Sequence, residues 1–87
     1  MALQFPNASR SFDEQRKTVR FQGYDGMFEI RFLVEADALI RKADRSAVEP
    51  DYLNAFDSQR SVIQKAAVKV YERNRRSSYT LTADDLR

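Results

Sequence analysis

A strictly alternating run of residues in the middle of the chain constrains the fold more than any other feature. Its apolar members are Phe28, Ile30, Phe32 and Val34, and the residues between them are Glu29, Arg31 and Leu33. A period of two residues places side chains alternately on the two faces of a β-strand, so the run predicts a half-buried strand. A shorter alternating run over residues 17–23, with Val19 and Phe21 on its apolar face, predicts a second strand.

These two strands are expected to form a hairpin. The residues that join them, Gly23-Tyr24-Asp25-Gly26, are typical of a turn. Because the two apolar faces must coincide, we expect Gln22 to pair with Met27, which leaves a four-residue loop from Gly23 to Gly26. Gly26 is then the residue expected to adopt a left-handed conformation, which a side chain would oppose.

Shorter patterns predict three further elements. Alternation over residues 3–5 indicates a short edge strand, and polar turn formers over residues 7–11 indicate a loop after it. Apolar residues at helical spacing predict a short helix over residues 35–42, with residues 43–49 as the connection that follows. Alternation over residues 78–82 predicts a last short strand, and Asp85 is placed to cap a final turn with Thr82.

One long helix is predicted from Pro50 to about Asn74. Its apolar stripe recurs at steps of three and four and comprises Leu53, Phe56, Ile63, Ala66, Ala67, Val70 and Tyr71. Proline suits the first helical turn, whereas a capping box of Ser46 and Glu49 is the alternative start. The order of elements predicts an α+β fold: a small antiparallel or mixed sheet of about four strands, centred on the hairpin, with one short and one long helix packed on one face.

Length and composition exclude much of enzyme chemistry. The 87 residues suffice for one hydrophobic core, so we expect a single domain over residues 1–87. The chain has no cysteine and no histidine, and therefore no thiolate nucleophile, no imidazole base and neither of the commonest ligands of zinc. Two glycines are too few for a phosphate-binding loop. The neighbouring carboxylates of Asp84 and Asp85 make a poor acid and base pair without these groups. We expect no enzyme activity, no cofactor and no metal.

Short motifs follow one another in a fixed order along nearly the whole chain. They are Phe5-Pro6, Val19-Arg20-Phe21, Gly23-Tyr24-Asp25-Gly26, Phe32-Leu33-Val34-Glu35, Ala38-Leu39, Ala55-Phe56-Asp57 with Arg60, Ala66-Ala67 with Tyr71, and Tyr79-Thr80-Leu81-Thr82. In this order and spacing they resemble the short bacterial proteins of the domain-of-unknown-function 1488 family. The resemblance implies a compact, stand-alone α+β protein of the bacterial cytoplasm with no assigned activity, and it supplies no catalytic residue.

The chain also offers no sign of a membrane location. No apolar run follows a basic start within the first 16 residues, and no stretch approaches the roughly 20 apolar residues that a membrane span requires. We therefore expect a cytoplasmic protein that does not bind a membrane.

Positive charge is concentrated in one segment. The net charge is only +2, yet residues 60–76 carry six basic residues and one acidic residue. We call five of these cations the basic ridge: Lys65, Lys69, Arg73, Arg75 and Arg76. All but Arg75 would fall within about 80° of one another on a helix. The ridge is a candidate nucleic-acid-binding site, and Tyr79 or another exposed aromatic residue nearby could stack on an unpaired base. A charged outer face is also ordinary for a surface helix and complements its dipole.

Two further pairs of residues are candidates for a contact, one with a binding partner and one within the fold. Tyr24 and Asp25 lie at the predicted hairpin tip and could bind a partner. The alternative is that Tyr24 covers the sheet edge while Asp25 bonds the backbone of its own turn. Asp57 and Arg60 are one helical turn apart, so they either form an ion pair or leave Arg60 to reach into the sheet.

These observations favour a small, non-catalytic accessory or regulatory module that binds a protein partner or a second copy of itself. A dimer could form through an unpaired sheet edge, or through Met27 and Leu33 on the outer face of the sheet. The alternative is weak, sequence-independent binding of nucleic acid through the basic ridge.

Overall fold

Two long antiparallel strands form the centre of the fold in a computed structural model, which describes residues 3–40 and 47–86. The elements are β1 (Ser11–Asp13), β2 (Thr18–Asp25), β3 (Phe28–Glu35), α1 (Ala36–Leu39), α2 (Glu49–Ser58), α3 (Arg60–Arg73) and β4 (Ser78–Leu81). The strands lie in the order β1-β2-β3-β4. The first two pairs are antiparallel and β4 runs parallel to β3. The predicted α+β class with a small mixed sheet is confirmed.

The hairpin loop is shorter than the sequence predicts. Asp25 pairs with Phe28, so the loop is Gly26 and Met27 alone. Gly26 has a φ of +63°, as expected, and glycine at the first loop position is what a type II′ turn requires. The predicted pairing of Gln22 with Met27 is wrong. A shift of four residues keeps every side chain on the same face, so the apolar pattern does not distinguish the two registers.

The N-terminal segment also departs from prediction. Residues 3–5 form no strand, although Gln4 and Tyr24 exchange two backbone hydrogen bonds of 2.8 and 2.7 Å in an isolated bridge. The edge strand is β1 instead, which begins inside the predicted loop. Phe12 is its one large apolar residue, and its ring stacks on that of Tyr52 with centroids 5.1 Å apart. A single aromatic residue is too little for a pattern of period two to reveal the strand.

The predicted long helix is divided into α2 and α3. Gln59 separates them with a φ of −110° and a ψ of 13°. The Ser58 hydroxyl and the side-chain amide of Gln59 both donate to the carbonyl of Ala55, at 3.0 and 3.3 Å. The same amide donates to the carbonyl of Leu39 at 3.3 Å. A serine hydroxyl that bonds a carbonyl of the preceding turn bends a helix, so the division reflects this local bond together with the bond from Gln59 to Leu39 in a different part of the chain.

The ends of the remaining elements are close to their predicted positions. The helix α2 begins one residue before Pro50, and Asp51 accepts a hydrogen bond from the Val48 amide at 2.9 Å. The alternative cap at Ser46 lies outside the described residues. The predicted first helix is shorter than expected, because α1 ends at Leu39 and its cap residue Ile40 is extended, with a φ of −134° and a ψ of 130°. The last turn is confirmed, because Asp85 accepts from the amide and the hydroxyl of Thr82 at 2.9 and 3.2 Å.

The helices cover one face of the sheet and form the core with it. The largest fully buried side chains are Phe32, Phe56, Ile63, Leu81, Val19 and Val34. Phe32 lies at the centre, with its ring stacked on Phe21 at 5.1 Å and on Tyr79 at 5.4 Å. The other face of the sheet carries exposed charged residues such as Arg20 and Arg31, and its Leu33 is half-buried.

A cluster of three charged residues joins the N-terminal segment to the helices. The carboxylate of Asp57 accepts two hydrogen bonds from Arg10, at 3.0 and 2.9 Å, and one from Arg60 at 2.7 Å. The predicted pair of Asp57 with Arg60 is therefore present. The guanidinium of Arg60 lies over the Phe56 ring, 4.9 Å from its centroid. The hydrogen bond from Arg10, followed by that from Arg60, holds the pKa of Asp57 below its usual value against the opposing effect of desolvation.

Gly23 is required where the N-terminal segment crosses the hairpin, and Gly23→Ala should destabilise the fold. An added Cβ would lie 2.9 Å from Phe5 Cε1, 3.0 Å from Leu3 Cδ1 and 3.2 Å from the carbonyl oxygen of Gln4. Overpacking of this kind costs about 1–3 kcal/mol. Urea denaturation measures the loss, and Gln22→Ala on the opposite face is the control. An unchanged free energy of unfolding for Gly23→Ala would contradict the packing described above.

Asp57→Asn should lower the free energy of unfolding at neutral pH by about 0.5–1 kcal/mol, a modest value because exposed ion pairs are screened by solvent. The carboxylate has a lowered pKa in the folded state, so its stabilisation is present above the unfolded pKa of about 4 and is lost as the pH falls through the folded pKa. The difference between the two proteins should therefore disappear in acid. Thermal unfolding from neutral pH down to about pH 2 tests this, with the exposed Glu14→Gln as control.

Candidate functional site

The candidate surface lies where the closed end of the hairpin meets the end of α3. The helix ends at Arg73, and residues 74–77 carry the chain directly into β4 beside β3. The Arg31 amide donates to the carbonyl of Ser77 at 2.9 Å, which holds this connection against the first residues of β3. We call the site the hairpin-end surface and define it by Met27, Phe28, Tyr71, Arg75 and Arg76. All of these residues except Met27 line an open depression of about 430 Å³.

A hydrogen bond between α3 and the hairpin forms the floor of this surface. The hydroxyl of Tyr71 donates to Asp25 at 2.6 Å, in a partly buried hydrogen bond. The guanidinium of Arg75 lies over the Tyr71 ring, 5.3 Å from its centroid, and 3.9 Å from the same carboxylate oxygen. The hydrogen bond to Asp25, together with desolvation and the negative charge of Asp25, raises the pKa of Tyr71 above its usual value. Asp25 thus bonds Tyr71 of α3 rather than a backbone amide of its own turn. This bond fixes the hairpin to the helix.

The other predicted contact at the hairpin, Tyr24, lies within β2. It pairs with Glu29 across the hairpin and with Gln4 on its other side, and its side chain is half-buried. Tyr24 therefore lies in a strand that is paired on both sides at this position, rather than at the tip of a loop as predicted.

A second set of hydrogen bonds orients Arg76. Its backbone amide donates to the hydroxyl of Tyr79 at 2.7 Å, and that hydroxyl donates to the carbonyl of Asn74. The side-chain oxygen of Asn74, turned toward Arg76, accepts from Nε and Nη2 at 3.1 Å each. Tyr79 stacks on Phe32 and meets the edge of Tyr71. It is a packed residue, and not the exposed aromatic that was expected to stack on a base.

Phe28 and Met27 are the most exposed large apolar residues of the described chain, at 76% and 96% of their surface. Phe28 occupies the same face of the sheet as Ile30, but it is the first residue of β3, next to the turn, and its side chain remains exposed. Alternation alone assigned Phe28 to the buried face. Its position next to the turn was the signal that could have revealed its exposure, because a strand end extends beyond the elements packed on the middle of the sheet.

The basic ridge does not form one helical face. Lys65, Lys69 and Arg73 are exposed along α3, and none of them pairs with a carboxylate among the described residues. Arg75 and Arg76 follow the helix, whose cap residue Asn74 is extended, with a φ of −157° and a ψ of 103°. The predicted alignment of Arg76 with the three helical cations is therefore wrong. The structure brings Arg75 and Arg76 to the hairpin end instead.

The hairpin-end surface presents an aromatic ring, a thioether and two guanidinium groups. These groups bind apolar and anionic parts of a ligand. Within residues 3–40 and 47–86, no group of three or more aspartate or glutamate residues is placed to hold a metal ion. No helix in the same part of the chain is long and apolar enough to cross a membrane.

Comparison with known proteins identifies one family. The model of the family described as "Protein of unknown function (DUF1488)" matches residues 3–82, which is nearly the whole chain, and confirms the resemblance seen in the short motifs. No curated protein and no solved structure matches the chain.

Tyr71→Phe should change how the protein responds to alkaline pH. Because the folded pKa of Tyr71 is raised, its stabilisation is complete below the unfolded value of about 10 and is lost as the pH rises through the folded pKa. Absorbance at 295 nm should show a tyrosine transition above this value in the wild type, and Tyr71→Phe should remove it. Tyr52→Phe, which deletes a hydroxyl elsewhere, should leave it in place. Persistence of the late transition in Tyr71→Phe would contradict the assignment.

Proposed function

The chain belongs to the DUF1488 family of proteins of unknown function, and we propose that it is a small, non-catalytic accessory or regulatory module that binds an acidic segment of a protein partner through the hairpin-end surface. The observation that carries the proposal is Phe28, an aromatic side chain that is 76% exposed beside two oriented guanidinium groups. A bacterial cytoplasmic location is part of the proposal and is supported by the lack of cysteine in the sequence.

The apolar part of the surface favours a protein partner. Burial of a phenylalanine side chain contributes about 1.5–3 kcal/mol, and in the free chain this energy is not used at Phe28. Met27 beside it has a flexible thioether chain that adapts to irregular apolar surfaces. Aromatic residues, methionine and arginine are the types enriched where proteins bind one another. An apolar side chain of the partner therefore fits over Phe28 and Met27.

The charged part of the surface favours a partner segment with carboxylates. Arg75 is held by the Tyr71 ring and Arg76 by the Asn74 side chain, so both guanidinium groups are oriented before a ligand binds. Groups that are already ordered lose less entropy on binding, and guanidinium matches the planar geometry of a carboxylate. Glu29 lines the same depression. Its negative charge restricts an acidic partner to the side of the surface occupied by the arginines.

Nucleic acid is the second candidate partner. Lys65, Lys69 and Arg73 are exposed without an ion pair to any described carboxylate, which leaves them available to phosphate groups. Phe28 would replace Tyr79 as the aromatic that stacks on a base. The net charge of +2 is small for a polyanionic partner, and for that reason we rank this function second.

An amide chemical-shift titration distinguishes the two candidates. The probes are heptapeptides of glutamate and aspartate with one central phenylalanine or leucine, a polyglutamate of equal length, and short mixed-sequence DNA and RNA. We expect the phenylalanine and leucine peptides to shift the amides of residues 26–29 and 74–77, and to do so more than polyglutamate, because both apolar and charged contacts contribute. The Phe28→Ser variant should weaken their binding by at least about fivefold, the loss of roughly 1 kcal/mol of apolar contact.

The matched control carries Lys65→Gln and Lys69→Gln, which remove two exposed cations of α3 without touching the hairpin end. It should bind the peptides as the wild type does. Salt-sensitive shifts along α3 with DNA or RNA, lost in this double variant and accompanied by no response to the peptides, would replace the protein-partner proposal with the nucleic-acid one.

A further inference from the structure

The strand β4 is an edge whose outer side has no partner among the described residues. It closes the sheet on one side and pairs only with β3. The carbonyl of Ser77 faces β3, where it accepts from Arg31. Because successive residues of a strand turn their backbone groups to opposite sides, those of Ser78 and Thr80 point outward. Both residues are exposed. The edge therefore presents free N–H and C=O groups to another strand.

This edge lacks the features by which proteins usually prevent edge pairing. Exposed edges commonly carry charged residues, proline or a bulge. The residues of β4 are Ser78, Tyr79, Thr80 and Leu81, none of which is charged. Threonine and tyrosine favour strands. The opposite edge, β1, is one residue shorter and carries the charged Asp13. Of the two edges, β4 is the one suited to pairing.

The charges on either side of β4 identify the partner strand. Arg75 and Arg76 precede the strand, and Asp84 and Asp85 follow it, at equal separations from Thr80. In an antiparallel pair of two β4 strands centred on Thr80, the segment that precedes each strand, with Arg75 and Arg76, lies at the same end of the pair as the turn that follows the other strand, with Asp84 and Asp85. A parallel pair would place like charges together. The pattern is thus complementary to itself, as an interface on a two-fold axis requires.

We propose that the chain forms a two-fold symmetric dimer through antiparallel pairing of β4 with β4 of a second copy, which creates a continuous eight-stranded sheet. At the centre, the two Thr80 residues exchange both backbone hydrogen bonds. The hydrogen bonds from Thr82 to Asp85 hold the acidic end of each strand in place. The dimer goes beyond the proposed function, since it needs neither Phe28 nor an outside partner. A short strand buries little area, so the dissociation constant is expected at about 10 μM to 1 mM.

Sedimentation equilibrium over this concentration range measures the dimer directly. The average mass should rise with concentration from 10.1 kDa toward twice that value. Thr80→Pro removes an outward N–H that the sheet itself does not use, and Thr80→Lys places two positive charges on the symmetry axis. Each should raise the dissociation constant at least tenfold. Ser11→Lys on the opposite edge is the matched control and should dimerise as the wild type does.

A charge exchange tests the orientation of the strands. An acidic variant with Arg75→Glu and Arg76→Glu, and a basic variant with Asp84→Arg and Asp85→Arg, should each be monomeric because like charges meet across the axis. Their equimolar mixture should dimerise, since every pair is then opposite in sign. Amide spectra check that each charge variant is folded. If a charge variant does not fold, the Thr80 variants test the dimer instead. The proposal is overturned by a monomeric wild type at the highest concentration, by a dimer that both Thr80 substitutions leave unchanged, or by folded charge variants whose mixture stays monomeric.

Discussion

The closure of the hairpin at Asp25 and Phe28 is the constraint on which the rest of the structure depends. A two-residue loop with Gly26 at positive φ sets the register of β2 against β3 along its whole length. That register brings Phe21 opposite Phe32, so that the aromatic stack at the centre of the core forms over the middle of the sheet. It also leaves Phe28 at the end of the sheet, where its side chain is exposed. One turn thus determines both the core and the exposed aromatic residue.

The hydrogen bond from Tyr71 to Asp25 then determines where the helix lies along the hairpin. It joins residues 46 positions apart in the sequence and is partly buried, and a hydrogen bond to a carboxylate is among the stronger ones available. With Tyr71 held at this point, α3 ends half a turn later, and the chain passes Arg75 and Arg76 along the start of β3. The arginines reach the hairpin end because the anchoring residue and the helix terminus are adjacent.

The sequence predicted what depends on periodicity and missed what depends on contacts between distant residues. The core face of β3 and the last strand follow from alternation, because burial of one face imposes a period of two. The division of the long helix depends in part on the bond from Gln59 to the carbonyl of Leu39, and no local pattern contains that bond. The same reason explains the site. Arg75 and Arg76 were singled out for their charge, but their place beside Phe28 follows from the Tyr71 anchor.

The two proposed surfaces share Arg75 and Arg76, and this has a consequence for how they would act together. In the dimer, these arginines lie beside the acidic end of the neighbouring β4, whereas at the hairpin end they face the carboxylates of a partner. A carboxylate that engages a guanidinium on one side reduces its attraction for a second carboxylate, so the two binding events oppose each other if they use the same donors. Guanidinium has five N–H donors in a rigid plane. The Tyr71 ring lies over the face of the Arg75 guanidinium, and the Asn74 oxygen accepts from two donors of Arg76, so in-plane donors remain on both arginines. Reciprocity requires that any weakening of the dimer by an acidic partner equals the weakening of that partner's binding by the dimer.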